Sequence, residues 1–107
     1  MLRTVLGILA LCLCLPAAAE ISPAWTERKC QLYRDLWTEA AAGGLDGIGP
    51  DFQAAHDDFL ASGCQEGTVC PASKEELALA DMLSLMAVSE GMTGSFLPFA
   101  CAAPGAP

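Results

Sequence analysis

The sequence predicts an all-α domain: a small three-helix bundle, stapled by disulfides, with a C-terminal tail packed back on it. Three segments carry apolar residues at intervals of three and four, which is typical of helices that bury one face. Glycines follow each segment and predict the helix ends. An even number of cysteines remains once an amino-terminal leader is set aside, which indicates a disulfide framework. The same pattern allows a short fourth helical turn before the tail.

Residues 1–19 have the three-part layout of a secretory signal peptide. Arg3 supplies a positive charge, an apolar run of eleven residues extends from Val5 to Leu15, and small residues precede Glu20. Because a helix needs about 20 apolar residues to cross a bilayer, we expect no transmembrane anchor after cleavage. We therefore predict cleavage after Ala19 and a periplasmic or secreted protein. A bacterial periplasm is favoured by the compact signal, and a eukaryotic secretory origin stays open.

The predicted mature chain is strongly acidic. It has 88 residues and keeps four basic against all thirteen acidic residues, a net charge of −9. Nucleic acids and anionic lipid surfaces repel such a chain, so we expect it to bind neither. Its length is enough for one small hydrophobic core.

The first helix is predicted to begin at Ser22-Pro23 and to run to about Ala42. The serine can cap the helix, and proline is well suited to its first turn. Gly43-Gly44 should end it, because glycine adopts the left-handed conformation found at helix ends. The apolar stripe of this helix contains Cys30, Tyr33, Trp37 and Ala40.

A second helix is predicted between Pro50-Asp51 and Ser62-Gly63. Its polar residues fall on the opposite side from a stripe that consists of Phe52, Ala55, His56, Phe59 and Leu60. The glycine-rich stretch before it, residues 45–50, is predicted to be a connecting loop.

The third helix carries the strongest local signal in the chain. Ser73 is followed three residues later by Glu76, which is the spacing of a capping box. From Leu77 to Val88 the residues are apolar almost all round the helix, interrupted only by Asp81 and Ser84. We therefore expect this helix to lie centrally, covered by neighbours on more than one side, and to end at Gly91 or Gly94.

The single domain is predicted to span residues 20–101, and residues 102–107 are predicted to be a disordered tail. The segment from Phe96 to Cys101 is too apolar to remain in solvent, so we expect it to fold back across the bundle. Because about eight extended residues can span the roughly 24 Å of the third helix, the returning tail can reach Cys70.

Four mature cysteines permit three pairings. An up-down-up bundle brings Cys30 near the end of the second helix, which favours Cys30–Cys64 together with Cys70–Cys101. The main alternative joins Cys64 to Cys70 and leaves Cys30 for Cys101. Each bridge should contribute roughly 2–4 kcal/mol to stability.

His56 is the only histidine and invites a catalytic or metal-binding interpretation. Adjacent helical residues point about 100° apart, so Asp57 cannot easily share a ligand sphere with it. We expect His56 at the edge of the apolar face, with one nitrogen toward water. The acids Asp46, Asp51, Asp57 and Asp58 do not follow the calcium-loop spacing and are predicted to be surface charges. We predict no catalytic residue, no cofactor and no metal ligand.

The aromatic residues, together with Met82, Met86 and Met92, are numerous for so small a domain. They either fill the core or leave an exposed surface for a partner. The candidate partner surface consists of Trp25, Trp37, Phe96 and Phe99. The function favoured is an exported, non-enzymatic binding or interaction protein whose ligand is an unidentified protein or a small apolar molecule. The sequence leaves the oligomeric state open.

Two other functions stay open. In export signal, mature length and helical character the chain resembles the acid-stress chaperones of the bacterial periplasm, and this resemblance implies an envelope holdase chaperone. Its four cysteines and few lysines depart from that group. The remaining alternative is a small metal-binding protein or enzyme that uses His56.

Overall fold

The protein is a disulfide-stapled bundle of three helices, seen in a computed structural model that describes residues 23–102. The helices are α1 (Pro23–Ala41), α2 (Pro50–Ala61) and α3 (Lys74–Ser89), and a 3₁₀ turn follows at Gly94–Phe96. The predicted all-α class and the short fourth helical turn are confirmed. The predicted leader, the cap at Ser22 and residues 103–107 of the predicted tail lie outside the described residues.

The loop between α1 and α2 is tied to the start of α3. Gly47 has a φ of +82°, and a Cβ atom there would lie 2.5 Å from Cγ of Glu75, so the loop can approach α3 this closely only with glycine. The hydroxyl of Ser73 donates to the carbonyl oxygen of Gly47 at 3.1 Å. The loop and the first turn of α3 therefore form one packed unit.

Glu76 is hydrogen-bonded both to the segment that precedes α3 and to the loop that precedes α2. The predicted cap is present, because the backbone N–H of Glu76 donates to Oγ of Ser73 at 3.0 Å. Its carboxylate accepts backbone N–H groups from Ala72 at 2.7 Å and from Gly49 at 2.8 Å. These hydrogen bonds favour the charged form and lower the pKa of Glu76. The carboxylate thus fixes the start of α2 relative to the start of α3.

The preferred cysteine pairing is confirmed, and the alternative pairing is wrong. Cys30 in α1 is bonded to Cys64 after α2, with 5.5 Å between their Cα atoms. Cys70 is bonded to Cys101, with 4.7 Å between their Cα atoms. Cys30 and Cys64 are buried, whereas Cys70 and Cys101 are exposed.

The tail returns to the bundle as predicted. The N–H of Val69 donates to the carbonyl oxygen of Pro98 at 2.8 Å, and the N–H of Ala100 donates to the carbonyl oxygen of Val69 at 3.1 Å. Val69 and Phe99 therefore form an isolated parallel bridge. Cys70–Cys101 follows directly, so two hydrogen bonds and a covalent bond hold the end of the domain.

The core consists of two clusters that share Leu36 and Trp37 of α1. One cluster lies around the buried disulfide, and its buried members are Cys30, Tyr33, Phe59, Leu60, Cys64, Ala87 and Met92. The other lies toward the tail, and its buried members are Phe52, Val69, Leu79 and Leu83. Within residues 23–102, none of the helices has the length and apolar character needed to cross a membrane.

The prediction that α3 is covered on more than one side is wrong. Leu83 and Ala87 of α3 are fully buried, but Leu77 is 52% exposed and Leu85 is 70% exposed. Within residues 23–102, the neighbouring elements cover the inward face of α3, and no further element lies on its opposite face. The apolar residues of α3 therefore divide between the core and the surface.

Candidate functional site

His56 lies in the centre of the molecule and not at the edge of an apolar face. Its exposed fraction is 0%, so the expectation that one nitrogen faces water is wrong. The ring of Trp37 is 4.2 Å away between centroids, and further aromatic rings surround the imidazole from α1, α2 and the tail. These rings belong to Tyr33, Phe52, Phe59 and Phe99.

In the described part of the chain, the imidazole has one hydrogen-bonding partner. Its Nε2 lies 2.8 Å from the hydroxyl oxygen of Tyr33, and its buried Nδ1 has no partner among residues 23–102. Burial lowers the pKa of His56 to about 4, and the charge of Asp57 opposes this only in part. Burial also raises the pKa of Tyr33. Both side chains are therefore neutral at pH 7, and His56 is a packed core residue that solvent does not reach.

The described residues offer no site for a metal ion. Within residues 23–102, no group of three or more histidine, cysteine, aspartate or glutamate side chains is placed to hold one. The neighbours of the His56 ring are aromatic, and Asp57 and Asp58 are exposed on the other side of α2.

The four residues predicted as a partner surface lie in two pairs: Trp37 and Phe99 beside His56, and Trp25 and Phe96 beside Lys29. Trp37 and Phe99 pack against His56, with ring centroids 4.2 and 6.2 Å from the imidazole, and both are partly buried. Phe96 packs edge-on against Tyr33 at 5.8 Å, and the ammonium group of Lys29 lies 5.1 Å from its ring centroid and 5.9 Å from that of Trp25. Only Trp25 is exposed, at 41%. Three of the four aromatic residues thus contribute mainly to the core.

Most of the exposed large hydrophobic side chains in the described part of the chain lie on α3 instead. Of the five large hydrophobic residues that are exposed within residues 23–102, four belong to this helix. Together with the exposed Ala78 they occupy one side of it, opposite the buried Leu79 and Leu83. We call this surface the α3 face, and it consists of Leu77, Ala78, Met82, Leu85 and Val88.

A groove of about 320 Å³ continues the α3 face toward α1. Ala78 and Met82 line it from α3, and Ala40 and Ile48 line it from the end of α1 and the following loop. Two carboxylates, of Asp46 and Glu75, also line the groove. The face and its groove therefore combine an apolar floor with negative charge.

A larger depression of about 660 Å³ lies beside the buried disulfide and has a different chemistry. Charged and amide side chains of Glu27, Arg28, Gln31, Arg34 and Gln65 line it. Arg34 already donates a hydrogen bond to the carbonyl oxygen of Leu60. Its charges of both signs define no clear ligand, so we regard the α3 face as the candidate site.

No protein family model, curated protein or solved structure matches this chain. The α3 face must therefore be interpreted from its own geometry. The sequence contained a signal for it, because a helix that is apolar almost all round cannot bury every side in a bundle of three. That signal was assigned to a central helix, and the exposed leucines were missed.

Proposed function

We propose that this chain is an exported, periplasmic or secreted, non-enzymatic binding protein that holds a partner on the α3 face. The observation that carries the proposal is the exposure of Leu85, Val88, Leu77 and Met82, at 70, 55, 52 and 42%, along one side of a single helix. Single exposed leucines are common on protein surfaces, but several exposed apolar side chains along one side of a helix favour an interaction site.

The rest of the molecule supports a binding role. Two disulfides fit an oxidising compartment and hold both ends of the bundle, so α3 presents its apolar side chains on a rigid support. The excess of acidic residues maintains solubility although leucines are exposed. His56 is buried behind aromatic rings and does not meet a substrate in this conformation.

Site-specific photo-crosslinking in the producing cell tests the proposal. A photoreactive amino acid at position 85 should give an adduct of defined mass, and the same group at the exposed Ala54 of α2 should not. Leu77→Asp in the chain labelled at position 85 should remove the adduct. Equal labelling from both positions, or no adduct from either, would contradict a partner on the α3 face.

The same face also favours a second candidate, the envelope holdase chaperone. Holdases bind unfolded clients through exposed apolar surface, and the α3 face supplies such a surface. Aggregation of a client protein would be followed at pH 3 and pH 7, with the wild type and with Leu85→Asp. Protection that the substitution removes would support a holdase, and absence of protection at both pH values would exclude it.

A further inference from the structure

We infer that the partner of the α3 face is a basic amphipathic helix, an inference that rests on the function proposed above. The exposed side chains of the α3 face are regularly spaced along the helix. Ala78, Met82 and Leu85 follow one another at intervals of four and three, which places them in a row along the helix. Leu77 and Val88 broaden the row on its other side. Such rows accept the apolar stripe of a second helix laid along them.

The α3 face and its groove carry acidic side chains. Asp81 is exposed between Leu77 and Leu85, and Glu75 and Asp46 line the adjoining groove. Lys74 is the only basic residue of α3. A partner helix that is neutral or acidic would bring no compensation to these carboxylates, whereas lysine or arginine beside its apolar stripe would complement them.

Two other occupants of the α3 face, a second copy of the chain and an anionic lipid surface, are disfavoured. A second copy of the chain would place Asp81 and Glu75 of one face close to the same carboxylates of the other, and like charges oppose that contact. The 16 residues of α3 also offer a strip only about 24 Å long and 10–12 Å wide, well below the roughly 800 Å² per partner of a stable dimer. An anionic lipid surface is repelled by the net charge of the chain.

The groove beside the α3 face is small. Its volume of about 320 Å³ lies at the lower end of the range for small-molecule pockets, so it suits a single large side chain better than a whole ligand. We therefore expect one aromatic or leucine side chain of the partner helix to enter between Met82 and Ile48. Because the strip is narrow, the complex should be transient, with a dissociation constant of roughly micromolar size.

Titration of the disulfide-intact mature chain with designed peptides tests the inference. The probe is a fluorescent 18-residue helix with leucines at intervals of three and four and lysines elsewhere, and it should bind with a micromolar dissociation constant. A peptide with glutamate in place of each lysine, and a scrambled peptide of the first composition, should bind at least about tenfold more weakly. Equal binding of the glutamate peptide would overturn the basic partner. Equal binding of the scrambled peptide would overturn the amphipathic helix.

Matched variants locate the binding. Leu85→Asp should weaken binding at least about tenfold, whereas Ala54→Asp, which adds the same charge on α2, should change it less than twofold. Asp81→Asn should weaken binding severalfold at low salt, whereas Glu66→Gln, in the loop after α2, should not. Circular dichroism would verify that each variant is folded. Equal effects of Leu85→Asp and Ala54→Asp would overturn the placement on the α3 face.

Two outcomes separate this inference from the function on which it rests. If the crosslink from position 85 maps to an acidic or non-helical segment, the binding function stands and the basic helix is wrong. If the wild type forms a concentration-dependent dimer that Leu85→Asp abolishes, a second copy is the occupant. Absence of both a crosslink and peptide binding would contradict the function and the partner together.

Discussion

The neutral imidazole of His56 makes the free energy of unfolding depend on pH. Its pKa is about 4 in the folded chain and about 6.5 in an unfolded one, so between these values the unfolded state binds a proton that the folded state does not. The contribution of His56 to the free energy of unfolding is therefore fully present above pH 6.5 and falls by about 3 kcal/mol as the pH decreases to 4. Denaturant titrations from pH 4 to pH 7 measure this change.

His56→Gln is the control for that dependence, because glutamine offers Tyr33 a polar atom and does not titrate. The variant should lose less stability than the wild type between pH 6.5 and pH 4, since the contribution of His56 is then absent and that of Glu76, whose pKa is lowered, remains. Parallel curves for the two proteins would mean that His56 is not the titrating group.

The hydroxyl of Tyr33 is the one partner of the buried imidazole among the described residues, so its removal should be costly. Tyr33→Phe leaves His56 without any hydrogen bond and should lower the free energy of unfolding by about 1–3 kcal/mol. In the background of His56→Phe the same change should cost clearly less, because no imidazole is then left without a partner. Urea denaturation of the four proteins gives the coupling, and additive losses would show that the hydrogen bond contributes nothing.

The two disulfides differ in accessibility, and this should set the order of their reduction. Cys70 and Cys101 are exposed, whereas Cys30 is 6% and Cys64 is 4% exposed. A dilute dithiol should therefore reduce Cys70–Cys101 first, which mass spectrometry after alkylation would detect. Simultaneous loss of both bridges, or earlier loss of Cys30–Cys64, would contradict this order.

Loss of the Cys70–Cys101 bridge should also destabilise the fold. Cys70→Ser/Cys101→Ser should lower the free energy of unfolding by about 2–4 kcal/mol, because the bridge closes a loop with a sequence separation of 31. The tail should also become susceptible to proteolysis near Phe99. An unchanged unfolding midpoint would mean that the hydrogen bonds of Val69 hold the tail alone.

Ser73 shows why some elements could be predicted from the sequence and others could not. Its cap depends on residues within one helical turn, so the spacing to Glu76 was sufficient. The burial of His56 depends on rings that converge from α1, α2 and the tail, and no local pattern contains that information. The apolar stripe of α1 and the returning tail did predict that Trp37 and Phe99 face the bundle, but not that their rings pack against His56.

For the molecule as a whole, a small bundle cannot bury all of its apolar residues. The sequence assigned the exposed surplus to aromatic and methionine side chains, whereas four of the five exposed large hydrophobic residues among residues 23–102 belong to α3, and only Met82 of these four was in the predicted set. Large aromatic side chains lose more when they are left exposed, so the core takes them first. The three-helix class was predictable because it follows from helix periodicity, whereas chain reach only favoured the observed disulfide pairing and left its alternative open.

If the outward face of α3 serves binding, its leucines should contribute little to stability. Leu85 is 70% exposed and Leu83, two residues earlier, is fully buried, so one substitution at each position separates the two roles. Leu85→Ala should change the free energy of unfolding by no more than about 0.5 kcal/mol, whereas Leu83→Ala should cost about 2–5 kcal/mol. Urea denaturation measures both. A loss above about 2 kcal/mol for Leu85→Ala would mean that this side chain supports the fold, and the exposed face would then need no partner to explain it.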